Sequence, residues 1–146
     1  MPIKSFRGLL ADGGQDTIVL HTNNGLTGYR LVKFELMANT PGVVEIANVV
    51  KIYTEEQDAI DAVVDFSDQR LLGAGYLESH GGIQDANYRS NSVFETSRIF
   101  NQDIFVTHKD VKTGEACNYY IELEQIKLDL SESTTATLKD IRNTAE

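Results

Sequence analysis

The sequence contains no tryptophan and a single cysteine, Cys117. One thiol can neither form an internal disulfide nor build a thiolate zinc cluster within one chain. Cys117 lies in a predicted strand with no histidine or basic motif beside it, so we expect a buried, inert thiol rather than a reactive one. The absence of tryptophan weakens a carbohydrate-binding interpretation because sugar platforms usually use exposed aromatic faces, but six tyrosines keep it open.

Positive charge is also scarce. The chain has 13 Lys and Arg residues against 22 Asp and Glu residues, which gives a formal net charge of -9. The basic residues are dispersed, and no Lys/Arg-rich run or basic stretch interleaved with aromatics occurs. The resulting negative field repels nucleic-acid phosphates and anionic membrane surfaces. We therefore expect neither direct nucleic-acid binding nor a membrane partner.

Long apolar runs are missing as well. No stretch approaches the roughly 18 apolar residues of a membrane span, and the N-terminus lacks the apolar core of a secretory signal. The chain is therefore expected to fold in a cytoplasm. Its 146 residues match the size of one domain. We expect a β-sandwich domain over residues 1–130 and a helical tail over residues 131–146.

Apolar residues recur with a period of two between turn residues, which is typical of half-buried antiparallel strands. The clearest pattern is a hairpin, in which strands 16–22 and 28–36 are joined through an Asn-Gly turn at Gly25. In the return strand, Val32, Phe34 and Leu36 share one face, and we expect that face to be core.

The rest of the chain shows the same alternation. Residues 43–53 have apolar side chains at both parities, which predicts a strand covered on both faces, and the glycine-weakened run 71–77 predicts an edge strand. Further strands are expected at residues 92–95, 98–100, 103–108 and 117–126. The last two should form a second hairpin, with one face made of Cys117, Tyr119, Ile121 and Leu123.

Two segments depart from this pattern. Residues 54–65 resemble a short helix behind an acidic start, and residues 78–92, rich in Gly, Ser, Asn and Asp, form the longest expected loop. The predicted fold class is mainly β: an antiparallel two-sheet β-sandwich, jelly-roll-like, with a short C-terminal helix.

The C-terminal tail changes to a helical period. Its predicted stripe consists of Thr134, Leu138, Ile141 and Ala145. A stripe this thin makes an isolated helix marginal, so the helix must dock on its own domain or on a neighbour. We therefore predict Leu138 and Ile141 as interface residues, together with Phe6 near the N-terminus.

Candidate sites for chemistry are few. The three histidines, His21, His80 and His108, are far apart and match no metal-ligand spacing, and we expect His21 and His108 at the surface or rim. The acidic segments 12–16 and 65–68 favour turn and capping roles over calcium binding. Nucleotide-binding and nucleophile-elbow motifs are missing. We therefore expect no enzyme activity, catalytic residue, cofactor or resident metal.

Four stretches carry a likeness to known proteins. They are FRGLLADGGQD at 6–16, TGYRLVKF at 27–34, FNQDIFVTH at 100–108 and NYYIELE at 118–124. With these stretches the chain resembles short virion structural proteins of bacteriophages that infect marine bacteria. The resemblance implies a particle component, present in many copies, that packs against itself or against a shell or tail protein. It assigns no catalytic or ligand-binding residue.

The leading interpretation is therefore a homo-oligomeric, capsid-associated virion protein (decoration, vertex or minor capsid) that is assembled in the host cytoplasm. The alternatives are a tail or connector component, or a host-surface or glycan-binding module, and a hydrolase comes last. An exposed apolar patch with two-fold or three-fold self-complementarity would favour the first interpretation. A tyrosine-lined cleft with converging polar groups would favour the glycan-binding module. Two close carboxylates with perturbed pKa values would favour a hydrolase.

Overall fold

The computed structural model of the chain describes residues 2–41, 45–80 and 89–145, with side chains described as far as Lys139. These residues form eight strands and one helix. They are β1 (Ile3–Leu10), β2 (Gln15–Ile18), β3 (Thr27–Ala38), β4 (Glu45–Tyr53), β5 (Leu71–His80), β6 (Arg89–Phe94), β7 (Ile104–Asp110), β8 (Cys117–Lys127) and α1 (Leu130–Ala145).

The strands make two antiparallel sheets that pack face to face, with orders β1-β8-β3 and β2-β7-β4-β5-β6. Strand β1 pairs with β8, β2 with β7, and β4 with β5, as if one long hairpin had been rolled up. Strands β3 and β6 meet where the two sheets adjoin, and the Ser92 hydroxyl donates to the Phe34 carbonyl at 2.9 Å. This is a jelly-roll arrangement, and the predicted two-sheet sandwich with a C-terminal helix is confirmed.

Alternation decides which side chains enter the core. In β8, Cys117, Tyr119, Ile121 and Leu123 are buried, as predicted. In β3 the prediction is only partly right, because the register to β8 shifts between Leu31 and Lys33. This bulge brings Leu31 into the core with Phe34 and Leu36, and Val32, predicted as core, is only half-buried.

The two strands at the centre of the large sheet were predicted with different success. Strand β4 is covered on both faces, as predicted, with Ile46–Tyr53 all buried. Strand β5 is not the predicted edge strand, because it lies between β4 and β6. Its glycines admit side chains instead: a Cβ on Gly75 would lie 3.0 Å from Leu36 Cδ1 of the facing sheet.

Both predicted hairpins are wrong. Strand β2 lies in the large sheet and β3 in the small one, and β7 and β8 are separated in the same way. After β2, the Asp103 carboxylate accepts the amides of Leu20 and His21 at 2.9 and 3.1 Å. It thus satisfies backbone donors that a hairpin partner would otherwise bind, and the chain crosses to the other sheet.

The predicted helix at 54–65 is also wrong, since this segment is irregular in the structure. Its acidic side chains bond to backbone amides two residues ahead: Asp61 accepts from Val63 at 3.0 Å and Asp65 from Ser67 at 2.9 Å. Such Asx turns compete directly with helical hydrogen bonds. Of the predicted loop 78–92, β5 and β6 occupy both ends, and its centre at 81–88 lies outside the described residues.

Helix α1 forms where predicted and begins with a capping box, in which Asp129 and Glu132 each accept the other's amide, at 2.7 and 3.2 Å. Among the side chains that the structure describes in this helix, Ser133 and Ala136 are buried. The predicted stripe is therefore wrong at Thr134 and Leu138, which are exposed, whereas the side chains of residues 141 and 145 lie outside the described part of the helix.

Candidate docking groove

The outer face of the large sheet is apolar over β4, β5 and β6. In the strand register Ala74 lies opposite Val93, and Tyr76 lies opposite both Val49 and Asn91. Residues opposite each other in neighbouring strands project from the same face. These five side chains therefore form a continuous floor, which is bordered on the same face by Lys51, opposite Ala74, and by Lys109, opposite Val49.

One wall of the groove is the segment between β4 and β5, residues 54–70, which we call the crossing segment. It presents Val64 and Phe66 to the solvent, and Phe66 is 61% exposed. The floor and wall enclose a groove of about 430 Å³. It is lined by Val49, Ala62, Val64, Phe66, Ala74, Gly75, Tyr76, Asn91, Val93 and Val111.

The exposed apolar side chains of this groove are contiguous. Phe66, Val64, Tyr76, Val93 and Val111 are all exposed although they line one cavity. Single exposed apolar residues are common on soluble proteins, whereas a contiguous apolar patch is typical of an interaction site. Fully burying one such side chain is worth roughly 1.5 to 3 kcal/mol. The groove can therefore bind an apolar surface of another molecule.

A buried lysine on β4 fixes the wall. Lys51 is only 3% exposed, and its ammonium donates to Asp61 Oδ1 at 2.9 Å and to the Val63 carbonyl at 2.7 Å. The ammonium also lies 5.5 Å from the centre of the Tyr53 ring. Burial alone would lower the pKa of Lys51, but the bonds to Asp61 and Tyr53 outweigh burial and raise it. Lys51 is thus a charged clamp between the sheet and the crossing segment.

Two further contacts fix the ends of the crossing segment. Near its start, the Gln15 side chain on β2 binds Gln57 twice, donating to its carbonyl at 3.1 Å and accepting its amide at 2.9 Å. At its end, the Arg70 guanidinium binds Asp68 at 2.8 Å and Glu55 at 3.4 Å. The wall is therefore preformed, which reduces the entropy lost on binding.

We expect Lys51→Met to loosen this wall without unfolding the sandwich. The substitution removes two hydrogen bonds worth roughly 1 to 2 kcal/mol together, so amide exchange at Val63 and its neighbours should accelerate about tenfold. Hydrogen–deuterium exchange measures this directly. The exposed Lys127 provides the control, since Lys127→Met should leave exchange in the crossing segment unchanged. Equal exchange in Lys51→Met and the parent protein would contradict the clamp.

The predicted interface residues lie elsewhere. Phe6 is on β1, half-buried and packed against the core. Leu138 is on α1 and 54% exposed, and the side chain of Ile141 is outside the described residues. Neither Phe6 nor Leu138 lines the groove. Their role as interface residues stays a prediction.

Two of the histidines pair with carboxylates. His21 is exposed, as predicted, and its Nδ1 lies 2.7 Å from Asp103 Oδ1. His80 Nε2 lies 2.8 Å from Glu78 Oε1, and its Nδ1 lies 3.7 Å from Glu45 Oε1. Neither histidine lines the groove.

The prediction that His108 lies at the surface or rim is wrong. This side chain is completely buried on β7, where its Nε2 lies 2.8 Å from Asn48 Oδ1 and its Nδ1 lies 3.1 Å from the Ala11 carbonyl. The imidazole therefore joins β7, β4 and the turn after β1. Its position on a strand gave no indication of which face it occupies.

The remaining polar candidates have structural roles. Asp65 forms an Asx turn with Ser67, as predicted for its segment, whereas the Asp12 carboxylate accepts the Asp110 amide at 2.8 Å, which is a contact between distant parts of the chain and not a local turn. Cys117 is buried, as predicted. Burial, together with the Asp110 charge, raises the pKa of the thiol to about 12, so the reactive thiolate is disfavoured.

The groove itself was missed in the sequence. Val63, Val64 and Phe66 form a short apolar group inside an acidic, turn-forming segment, and that was an available signal. A second signal was Lys51, which is a charged residue in the otherwise apolar part of the strand predicted at 43–53. A lysine is almost never buried in a strand unless it is paired, so Lys51 indicated an acidic partner on a segment that packs over the sheet.

Among the residues that the structure describes, no group of three or more His, Cys, Asp or Glu side chains is placed to hold a metal ion. Within the same ranges, the helix that forms is too short or too polar to cross a membrane. Neither a family model nor a curated protein matches the chain.

Proposed function

We propose that this protein is a capsid-associated structural component of a bacteriophage particle, which docks on a shell protein through the apolar groove. The observation that carries the proposal is the contiguous, exposed and preformed apolar surface on the outer face of the large sheet. The jelly-roll fold supports it by analogy, because capsid proteins often have this fold, which is also used by lectins and cupins.

The charge around the groove favours a partner of a different kind over a second copy of the chain in the groove. Asp61 and Asp65 flank the lining residues of the crossing segment, and Glu78 follows Tyr76 on the same face of β5. Lys51 pairs with Asp61 and Arg89 lies opposite Glu78 in the register, so Asp65 is the carboxylate here that has no basic partner among the described residues. Two such surfaces would repel each other in a chain of net charge -9. The partner therefore presents an apolar ridge flanked by basic residues.

In this proposal the protein is found in the virion, and many copies assemble on the shell in the host cytoplasm. Copies then contact each other as neighbours on the shell, so self-association depends on the shell lattice rather than on the groove. The groove sets the affinity for the shell, because its exposed aromatic and aliphatic side chains are the ones that gain most from burial.

The test is co-sedimentation of the purified chain with phage particles that lack it. We expect the double variant Phe66→Ser, Val93→Ser to bind at least about 100-fold more weakly, since two lost side chains at roughly 1.5 kcal/mol each amount to about 3 kcal/mol. Both side chains are exposed, at 61% and 49%, so the melting temperature should hardly change.

The matched control lies on the other sheet. Leu9 and Met37 are exposed to a similar extent, 52% and 60%, on the outer face of the small sheet. Leu9→Ser, Met37→Ser should bind particles like the parent chain. Binding by the groove variant that equals binding by this control would refute the proposal. Light scattering adds a second criterion: stable dimers of the isolated chain that the groove variant abolishes would identify a second copy as the occupant.

A further inference from the structure

A second cavity, of about 530 Å³, lies on the outer face of the small sheet, opposite the apolar groove. Two rows of side chains cross it. In one row Tyr120 lies between Arg7 and Glu35, and in the next Asn118 lies between Leu9 and Met37. Neighbouring strands are about 4.8 Å apart, so each row places three side chains within roughly 10 Å.

The polar groups of this cavity have free hydrogen-bonding capacity. Arg7 is exposed and, among the described residues, has no hydrogen bond or ion pair. The nearest cation to Glu35 is the Lys33 ammonium, at the long distance of 4.0 Å. The Asn118 amide makes one bond at the limit of hydrogen-bonding distance, 3.5 Å to the Ala38 carbonyl. A donor, an acceptor and an amide that can do both therefore face one cavity.

The aromatic ring between them is held in place. The Tyr120 hydroxyl donates to Glu122 Oε2 at 2.7 Å, which fixes the ring on the sheet surface. The Lys33 ammonium lies 5.8 Å from the ring centre. Lys33 is an exposed, flexible side chain, so a ligand can displace it at little cost. The ring therefore offers a flat apolar surface at the centre of the polar groups.

We propose that this cavity binds a neutral saccharide. A sugar ring has an apolar face of C–H groups, suited to Tyr120, Leu9 and Met37, and a rim of hydroxyls that both donate and accept, suited to Arg7, Glu35 and Asn118. The Arg7 and Glu35 charges cancel, which favours a neutral ligand over a phosphate or a cation. The site does not depend on the docking proposal. If that proposal holds, the cavity faces away from the shell, toward a host surface.

The test is a titration of the isotope-labelled protein with four neutral disaccharides: maltose, cellobiose, lactose and chitobiose. We expect saturable shifts with at least one of them, centred on the backbone amide signals of Arg7, Glu35, Asn118 and Tyr120. Tyr120→Ala should weaken that binding at least about tenfold, and Tyr120→Phe, which keeps the ring, should retain most of it. Tyr76→Ala, on the opposite sheet, is the control and should bind like the parent protein.

Three results would overturn the proposal: no saturable shift with any of the four sugars, shifts centred on the apolar groove, or equal affinity in Tyr120→Ala and the parent protein. The melting temperature of each variant shows whether it is folded. If Tyr120→Ala does not fold, the retained binding of Tyr120→Phe is the remaining test of the aromatic ring. The Leu9→Ser, Met37→Ser variant separates the two sites, because it should lose sugar binding and keep particle binding.

Discussion

Replacing Asp110 with alanine should destabilise the protein by roughly 3 to 5 kcal/mol, because several backbone donors would lose a charged acceptor at once. The buried Asp110 carboxylate accepts the amides of Ala47, Lys112 and Glu115 at 3.1, 2.9 and 2.8 Å. The Thr113 hydroxyl lies 3.4 Å from the same carboxylate, but its one hydrogen is shared with the Glu45 carbonyl at 2.8 Å. These bonds organise the connection between β7 and β8, in which the chain passes from the large sheet to the small one. The Ala47 amide is buried.

The same carboxylate should give the protein a measurable pH dependence. Burial alone would raise the pKa of Asp110, but the bonds from Lys112, Ala47, Glu115 and Thr113 outweigh burial and hold it below the ordinary value of 3.8. A depressed folded-state pKa stabilises the fold above the unfolded value, and this stability is lost as the pH falls through the folded value. The gap in unfolding free energy between the parent protein and Asp110→Asn should therefore be constant above 3.8 and shrink below it.

Urea unfolding at a series of pH values measures both effects. Asp58→Ala is the control, because Asp58 is exposed in the crossing segment and should cost less than about 0.5 kcal/mol. A loss of unfolding free energy below about 1 kcal/mol for Asp110→Ala would show that the connection between β7 and β8 does not depend on this carboxylate. A gap for Asp110→Asn that stays the same at every pH would show that its charge does not matter.

The strands could be predicted from the sequence, but their partners could not. Alternation reports which side chains share a face, so the buried face of β8 and the two-sided burial of β4 were predictable. Pairing depends on groups far apart in the chain. The Leu20 amide is bound by Asp103, which lies 83 residues further on, and this contact replaces the hairpin that the Asn-Gly turn predicted.

The groove was not predicted from the sequence for a related reason. Its floor comes from three strands, with Val49, Tyr76 and Val93 brought together only by the sheet order. Its wall comes from a segment whose apolar spacing also fits a helix, so Val64 was expected on a helical face rather than beside a sheet. Helical spacing in a short segment is a weak signal when acidic residues can bond to the backbone two residues ahead, as Asp61 and Asp65 do.

Asn101→Ala should release helix α1 from the sandwich at a cost of roughly 2 to 4 kcal/mol. Asn101 is completely buried, and its amide nitrogen lies 3.1 Å from the Gly25 carbonyl, 3.3 Å from the Ser133 carbonyl and 2.8 Å from Thr137 Oγ1. An amide group has two hydrogens, so the three acceptors share them. Without Asn101, the helix retains the bond from the Ser133 hydroxyl to the Gly25 carbonyl, at 2.7 Å, as its main polar contact there.

The matched control is Leu138→Ala on the same helix, since its side chain is 54% exposed and should contribute less than about 0.5 kcal/mol in the isolated protein. Circular dichroism should show helix loss at a lower temperature in Asn101→Ala and no change in Leu138→Ala. Gly25→Ala should resemble Asn101→Ala, because Gly25 has a φ of 67° and an added Cβ would lie 2.9 Å from Ser133 Oγ. The reverse order, with Leu138→Ala the more damaging change, would mean that the helix is held by its apolar stripe and not by Asn101.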